Sequence, residues 1–393
     1  MNIVLLNQFF WPNTVATSQI LTEVARSLGV DHDVAVICSR GGAKPTGLKT
    51  GARPNAKILR IRNCGFGHSA AARVASYITY LAGVLWHGYM VRGPDCFVTL
   101  TTPPILPIIG GIFSRARGAR HVIWEMDVYP DIATDIGYFK KGGFVERLSG
   151  AILDWSRRRA DVIIALGEDM KARLVARGIA GDKIRVVENW ANGEEIKPMP
   201  FRAGPLIVHY SGNLGLAHEV ATISEVIDRL ANNSSFRFIF AGGGPRRRRL
   251  ETHCKVRSIR NVEFRPFCSN EQLSESLAEG HLGLVTQIPE TLGSIVPSKV
   301  YGIMAAGRPL LYIGPKGATP ARHIQEFECG WRIAPGDVDR AVGLLHHLNE
   351  NRHLVEEAGV RGRAAFEERF DLPIGVARIL AIILEPKIKA LPA

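Results

Sequence analysis

The chain has 393 residues, of which 46% are hydrophobic, and its formal net charge is +12. This length exceeds what one hydrophobic core usually supports, so we expect two domains of comparable size. The positive balance favours polyanionic partners such as nucleic acid, an anionic membrane surface or phosphate-bearing substrates, and it does not choose among them.

The six cysteines are widely scattered, without a C-x-x-C pair or a histidine pair at metal-ligand spacing, so we interpret them as reduced and mostly structural. Residues 1–6 resemble a buried strand rather than a secretion signal. The longest apolar segment, residues 75–90, is interrupted by Ser76, His87 and Gly88. We therefore expect a cytoplasmic protein without a membrane-spanning helix.

Short apolar runs alternate with helical patterns along the chain, which predicts parallel βαβ units. The predicted strands of the first half are residues 3–6, 34–37, 58–61, 97–100, 122–124, 162–165 and 186–187. Those of the second half are residues 207–210, 236–241, 262–264, 282–285, 310–313 and 331–333. Each half is therefore predicted to be an α/β, Rossmann-like, doubly wound sheet.

A polar, proline-rich stretch separates the two halves. We predict a first domain at residues 1–195, a hinge linker at 196–205 and a second domain at 206–372. The C-terminal helix, within residues 373–393, is expected to pack back on the first domain. Because open α/β sheets bind ligands at the carboxyl ends of their strands, the active site is expected in a cleft between the domains.

A long aromatic and polar loop, residues 7–17, follows the first predicted strand. Loops in this position carry function more often than they merely connect elements, so we favour a ligand loop over a plain surface loop. Its candidate acceptor-binding residues are Trp11, Asn13, Thr14 and Thr17.

Three carboxylates, Glu125, Asp127 and Asp131, follow the predicted strand at residues 122–124. Carboxylates in such a position must be solvated by a cleft or paired. We favour acceptor binding by Glu125 and Asp127, with Asp127 also the candidate for proton transfer. A structural hydrogen-bonding role is the alternative.

Basic and aromatic residues cluster at residues 139–144 and again at 155–159. The mixture suits an anionic membrane surface, while the alternative is a solvated helix face. Four consecutive arginines, residues 246–249, follow a glycine turn. We interpret these arginines as facing solvent rather than a nucleotide.

Glycines follow two predicted strands of the second half, at Gly212 and Gly215 and again at residues 242–244. Glycine lets the backbone approach a diphosphate closely, although after a strand it often marks only a turn. Further along, Ser298 and Lys299 open a short helix. The positive end of a helix and a lysine together predict a phosphate site, and an ordinary capped helix is the alternative.

Together these segments resemble the GT-B glycosyltransferases of family 4, which are retaining enzymes that use nucleotide sugars. The resemblance covers essentially the full length and rests on residues 7–12, 211–214, 241–245, 261–264 and 305–309. Residues 124–130 and 297–299 are similar to the fucosyltransferase-like or N-acetylfucosamine transferase subgroup of bacterial surface polysaccharide synthesis.

The resemblance implies that the second domain binds the donor and that the first binds the acceptor, with residues 13–17 closing on the donor phosphates. The implied donor-binding residues are Gly212, Asn213, Gly215, Gly243, Phe267, Ser294, Ser298, Lys299 and Tyr301. The candidates for catalysis are Asp127, Lys299 and Glu290.

This sequence differs from the family pattern at several positions where family members have charged residues. Asn213 and His218 stand in place of an arginine and a lysine, and Lys299 is the candidate to supply the missing charge. Ser294 and Gly302 stand in place of paired glutamates. Glu290 is the nearest carboxylate to the first of these positions, and Asp127 is the ionisable residue nearest to Met126, which replaces a family histidine.

Negative charge builds on the leaving diphosphate during glycosyl transfer, so catalysis needs cations or N–H donors there. We expect transfer without a metal or other cofactor, from a nucleotide sugar to a glycan or polyprenyl-diphosphate-linked acceptor at the inner face of the plasma membrane. UDP is favoured by family frequency, and no nucleic-acid partner is expected. The alternatives are an epimerase or phosphorylase of the same fold, or a catalytically degenerate scaffold that binds polyanions or membranes.

Overall fold

A computed structural model describes residues 1–13, 15–40, 52–64 and 70–387. The chain divides into two compact units, each built on its own parallel sheet. The first unit holds Met1–Thr134, Phe139–Val187 and the chain from Val376, and the second holds Asp135–Tyr138 and Glu188–Gly375. The prediction of two doubly wound α/β sheets is confirmed.

The sheet of the first unit is seven-stranded, and every described pairing in it is parallel. Its strands are β1 (Asn2–Leu6), β2 (Asp33–Ser39), β3 (Lys57–Ile61), β4 (Cys96–Leu100), β5 (Arg120–Trp124), β6 (Val162–Ala165) and β7 (Ile184–Val186). The strand order is β3-β2-β1-β4-β5-β6-β7, so the winding direction reverses between β1 and β4. Ligands of such sheets bind outside the carboxyl ends of the strands at this reversal.

Helices α1 to α6 connect these strands. They are α1 (Ala16–Leu28), α2 (Ala70–Met90), α3 (Leu106–Ala116), α4 (Asp131–Asp135), α5 (Phe144–Arg159) and α6 (Glu168–Ala176). Helix α1 buries Leu21, Val24 and Leu28 because residues three and four apart share one helix face. Within the described ranges, no helix combines the length and the apolar character that crossing a bilayer requires.

The second unit has a six-stranded sheet in the order β10-β9-β8-β11-β12-β13. Its strands are β8 (Leu206–Asn213), β9 (Phe236–Gly243), β10 (Val262–Arg265), β11 (Leu282–Thr286), β12 (Leu310–Ile313) and β13 (Gly330–Ile333). Its helices are α7 (Ala221–Arg229), α8 (Pro245–Val256), α9 (Asn270–Glu279), α10 (Lys299–Ala305), α11 (Thr319–Phe327), α12 (Val338–Glu350) and α13 (Arg352–Arg369). The winding reverses between β8 and β11.

The last helix, α14 (Leu372–Leu384), passes from the second unit to the first. Arg120, which begins β5 and is buried, donates to the carbonyl oxygen of Ile382 and pairs with the Glu385 carboxylate at 2.8 Å. These bonds hold the end of the chain against the first sheet.

Strands β8 and β9 are longer than the sequence pattern predicts. Three of the five glycines expected after these strands, Gly212, Gly242 and Gly243, lie within them, with Gly212 opposite Gly242 and Asn213 opposite Gly243. Gly212 and Gly242 both have φ of 127°, and a Cβ on Gly242 would collide with the Gly212 carbonyl oxygen. Glycine at both positions therefore allows the pairing to continue to the edge of the sheet.

Candidate active site

At the reversal point of the second sheet, a hydrogen-bonded chain links the ends of β8 and β11. The Tyr210 hydroxyl donates to the carbonyl oxygen of Asn213 at 2.8 Å and lies 3.4 Å from Nε2 of His218. Nδ1 of His218 donates to the carbonyl oxygen of Thr286 at 2.9 Å. Burial, and next the charge of Lys299, lower the pKa of His218 to about 3, so this ring is neutral at physiological pH.

Lys299, the first residue of α10, reaches this strand end. A Cβ built on Gly212 would lie 2.5 Å from Cε of Lys299, so the side chain occupies the space that glycine leaves. Its ammonium lies 5.2 Å from the centroid of the Tyr210 ring, and burial lowers the lysine pKa to about 8. In the described part of the chain, no carboxylate oxygen comes within 4.0 Å of this ammonium. Lys299 is thus a half-buried cation available to an anionic ligand.

Further predicted donor residues surround the same strand ends. A Cβ on Gly243 would lie 3.0 Å from the Phe267 ring, which is 60% exposed, and one on Gly215 would lie 3.5 Å from the Asn213 amide nitrogen. Asn213 itself is exposed. The structure therefore brings Gly212, Asn213, Gly215, Gly243 and Phe267 to the ends of β8 and β9, where Lys299 contacts Gly212.

Two predicted donor residues are wrong as ligand contacts. Tyr301 is fully buried, with its ring centroid 5.2 Å from that of Phe370, because the period of α10 turns it toward the core. Ser294 is also fully buried, and its hydroxyl donates to the carbonyl oxygen of Thr291 at 3.2 Å. Neither side chain is accessible to a nucleotide.

Ser298 and Glu290 remain exposed. Ser298 is the residue before α10, and its side chain makes no capping hydrogen bond. Glu290 lies on a short 3₁₀ turn, Pro289–Thr291, that follows β11. Their roles stay predictions.

In the first unit, three strand ends meet around Thr101 and Thr102. The Thr101 hydroxyl oxygen accepts bonds from the backbone N–H groups of Met126 (3.1 Å) and Asp127 (3.4 Å), and the Thr102 carbonyl oxygen accepts one from Gln8 (3.0 Å). Burial, and next the nearby Glu125, raise the pKa of Asp127 to about 6. A carboxyl group that titrates near neutral pH is suited to proton transfer.

The loop after β1 lies against β3. The Trp11 carbonyl oxygen accepts a hydrogen bond from Arg60 at 2.6 Å, and the side-chain oxygen of Asn13 accepts one from the N–H of Val15 at 3.0 Å. The buried Thr17 hydroxyl has no hydrogen-bond partner among the described residues. Thr14 lies outside the described residues. Acceptor binding by this loop stays a prediction.

The prediction that Glu125 binds the acceptor is wrong, because this carboxylate is a buried ion-pair partner. Glu125 is 1% exposed and accepts from Nε of Arg157 at 2.6 Å, and Arg157 also bonds Asp154 at 2.9 Å. Arg177 extends the network from Asp154 (2.7 Å) to Asp131 (2.6 Å). Arg157, taken from the sequence as part of a membrane-facing cluster, therefore points inward.

Within the described residues, no group of three or more His, Cys, Asp or Glu side chains is placed to hold a metal ion. The expectation of a metal-independent reaction is not tested by this observation.

Comparison with known proteins identifies the class. Residues 16–190 match the family model "Glycosyl transferase 4-like domain", and residues 192–365 match "Glycosyl transferases group 1". Each match covers less than half of the chain, and together they span most of it. The chain is therefore a glycosyltransferase whose first domain is of the 4-like family and whose second domain is of the group 1 family. The predicted enzyme class and the GT-B fold are confirmed.

Individual relatives agree with this class. "Probable glycosyltransferase WbjE" of Pseudomonas aeruginosa is 27% identical over 269 residues, 66% of this chain and 67% of the relative. "Putative colanic acid biosynthesis glycosyl transferase WcaI" of Escherichia coli K12 is 24% identical over 254 residues, 61% of each chain and thus less than two thirds of that relative. The crystal structure of Alr3699/HepE from Anabaena with UDP has a TM-score of 0.73 at 15% identity, covering 97% of this chain and 99% of that one, which shows the fold.

We predict that Glu125→Ala destabilises the protein by about 1.5–3 kcal/mol, because the buried Arg157 loses one of its two carboxylate partners and keeps only Asp154. Urea unfolding measures the change. Glu326→Ala is the control, since its pair with Arg369 is roughly half exposed and should contribute less than about 1 kcal/mol. If Glu125→Ala kept wild-type stability but bound the acceptor more weakly, Glu125 would be an acceptor-binding residue after all.

We predict that Gly212→Ala weakens binding of UDP by about tenfold or more, because the new Cβ displaces Lys299 and a charge-assisted contact is lost. Calorimetric titration measures the affinity. Gly204→Ala is the matched control, because Gly204 has φ of 111° and no atom within 4 Å of its Cβ position. Both variants carry about 1–3 kcal/mol of backbone strain. Equal UDP affinities in the two variants would contradict the role of the Lys299 contact.

Proposed function

We propose that the protein transfers a sugar, with retention and without a metal, from a UDP-sugar to a glycan acceptor. The observation that supports this most directly is Lys299, a half-buried cation without a carboxylate partner in the described residues, packed on Gly212 at the reversal point of the second sheet. The fold it shares with HepE, which was crystallised with UDP, supports the choice of nucleotide.

In the proposed reaction, the bond between the sugar C1 and the diphosphate oxygen breaks. The acceptor hydroxyl oxygen forms a new bond to C1 on the same face. Both electrons of the broken bond leave with the diphosphate, so Lys299 and the backbone around Gly212 act by stabilising that charge. The neutral His218 holds the strand end in place through Tyr210 and Thr286.

The acceptor hydroxyl must also lose a proton. We assign Asp127 to position or deprotonate it, since a pKa of about 6 leaves this carboxylate ionised at neutral pH yet able to accept a proton. The leaving phosphate is the alternative proton acceptor. Glu290 is the exposed carboxylate that we propose for contact with the donor sugar.

The pathway proposal is bacterial surface polysaccharide or glycolipid synthesis. It is supported by the name of WcaI, which places that relative in colanic acid biosynthesis, and by the resemblance to the N-acetylfucosamine transferase subgroup. We propose a polyprenyl-diphosphate-linked acceptor, because a basic protein is attracted to anionic phosphates and lipids.

Helix α5 provides the surface for a peripheral association with the inner face of the plasma membrane. Phe144, Leu148, Ile152 and Trp155 follow one helix face and are 79%, 48%, 44% and 40% exposed. The Arg159 guanidinium lies 4.3 Å from the Trp155 ring centroid. Apolar and aromatic side chains flanked by cations suit the headgroup region of an anionic bilayer.

The neighbouring helices of the first unit also carry exposed apolar residues. Helix α3 contacts both α2 and α5. The exposed residues Ile78, Trp86 and Tyr89 lie on α2, and Ile112 lies on α3. Exposed apolar residues on helices that contact one another support the proposal of an interaction surface in this part of the first unit.

The donor site is tested by titrating UDP into the protein between pH 7 and pH 10. Lys299 carries its charge below a pKa of about 8, so UDP affinity should fall as the pH rises through 8. The Lys299→Arg variant keeps its charge and should retain affinity over this range. Lys299→Ala should bind UDP about tenfold or more weakly at pH 7.

Asp127→Asn is the matched variant for turnover. It should bind UDP as tightly as the wild type but lose sugar transfer to an acceptor by about a hundredfold or more. A wild type that binds no nucleoside diphosphate would refute the transferase proposal and leave the polyanion-binding scaffold. Turnover of the donor sugar into its epimer without an acceptor would favour the epimerase.

Vesicle sedimentation at low salt tests the membrane proposal. The wild type should bind vesicles that contain phosphatidylglycerol and should not bind vesicles of phosphatidylcholine alone. A Phe144→Ser and Trp155→Ser double variant should partition about tenfold less, because the apolar contact is lost. Val256→Ser, at an 80% exposed site on α8, should bind as the wild type does. If the wild type failed to bind anionic vesicles, the membrane proposal would be refuted, while the proposed sugar transfer would be unaffected.

A further inference from the structure

The four arginines that open α8 are not equivalent. Arg248 and Arg249 are exposed. Arg247 pairs with Glu251 at 3.3 Å, and its guanidinium lies 5.4 Å from the Phe264 ring centroid. Arg248 and Arg249 behave as the sequence predicts for a solvated helix face. The Arg247 side chain does not, because it is only 17% exposed and its Nη2 donates to the carbonyl oxygen of Arg265 at 3.3 Å.

Arg246 instead packs against the segment that follows β8. Its backbone N–H donates to the carbonyl oxygen of Leu214 at 3.1 Å, and its Nη2 donates to that of Leu216 at 3.3 Å. Its Nε is buried and has no hydrogen-bond partner among the described residues. No carboxylate oxygen in the described ranges lies within 4.0 Å of its guanidinium.

Arg246 and Lys299 therefore lie against opposite ends of one short stretch, residues 212–216. Lys299 packs on Gly212, while Arg246 holds Leu216. His218, which follows this stretch, is influenced by both charges, since each lowers the pKa of its ring. Among the residues that the structure describes, no acid neutralises either cation. Two such cations beside one glycine-containing strand end form a site for a doubly charged anion.

The position of Arg246 in α8 strengthens this conclusion. The first turn of α8 contains no acidic residue, although the start of a helix carries partial positive charge. Arginines there are unfavourable unless an anion offsets them. Gly244, with φ of 111°, has no room for a Cβ beside the Leu214 carbonyl oxygen, so α8 begins close to the β8 end.

We propose that Arg246 is the second cation of the donor site and contacts the diphosphate of the nucleotide sugar, together with Lys299. The inference rests on the proposed function. Arg246 and Lys299 would then supply, from α8 and α10, the two charges that the family carries where this chain has Asn213 and His218. The prediction from the sequence that residues 246–249 all face solvent is corrected for Arg246 and for Arg247.

Calorimetric titration of UDP and of uridine into the full chain tests this role. Arg246→Ala should bind UDP about tenfold or more weakly, because a charge-assisted phosphate contact is lost. Its affinity for uridine, which has no phosphate, should stay unchanged. The fall of UDP affinity with added salt should become less steep, as expected when one ionic contact disappears.

Arg249→Ala is the matched control, because it removes the same charge three residues away at an exposed position. Its UDP affinity should change less than about threefold. Arg246→Gln guards against a purely structural effect, since an amide can still donate to the Leu216 carbonyl oxygen but has no charge. It should lose UDP affinity as Arg246→Ala does while its melting temperature stays at the wild-type value, and Arg246→Lys should restore part of the affinity.

The outcomes separate the two proposals. If the wild type binds no nucleoside diphosphate, the proposed function fails. If the wild type binds UDP and Lys299→Ala weakens it, but Arg246→Ala and Arg246→Gln bind like Arg249→Ala, only the role of Arg246 is overturned. Equal losses for UDP and uridine would also overturn it, because they would indicate a distorted site rather than a lost phosphate contact.

Discussion

The proposed donor site depends on the close approach of two glycines, Gly212 on β8 and Gly242 on β9. Because neither has a Cβ, the strands stay paired to their ends, and the space over Gly212 is left for Lys299. A larger residue at Gly242 would collide with the neighbouring backbone, and one at Gly212 would displace the lysine. Backbone pairing and placement of the cation are thus consequences of the same two small residues.

Once placed there, the lysine is held in a state that suits an anion. Partial burial disfavours its charged form, and the Tyr210 ring offers a weaker attraction than a carboxylate would. A bound diphosphate would restore the stabilisation that water no longer supplies. His218 stays neutral beside it, so it adds hydrogen bonds to the site without adding a charge.

Most of the fold could be predicted from the sequence, because strands buried on both faces appear as continuous apolar runs. The partners of the buried ion pairs could not be predicted from the sequence. Glu125 and Arg157, for example, are 32 residues apart, and only the packing of α5 on the first sheet joins them. Burial of Tyr301 had a usable signal in its apolar neighbours Val300 and Ile303 on the short helix α10. The inward orientation of Arg246 had no such signal in the sequence. Four consecutive arginines are identical in sequence and differ only in the direction in which each side chain leaves the helix.

The proposed donor site also illustrates how the transfer of site residues by motif position can misplace charge. An electrostatic requirement is met by any cation that reaches the ligand, whichever element carries it. In this chain the loop positions hold Asn213 and His218, while Lys299 and Arg246 approach the same strand end from the starts of two helices. Aligned positions therefore suggest a weakened site, whereas the three-dimensional arrangement keeps two cations against residues 212–216. Loss of charge at motif positions is evidence of lost activity only when no neighbouring element has replaced it.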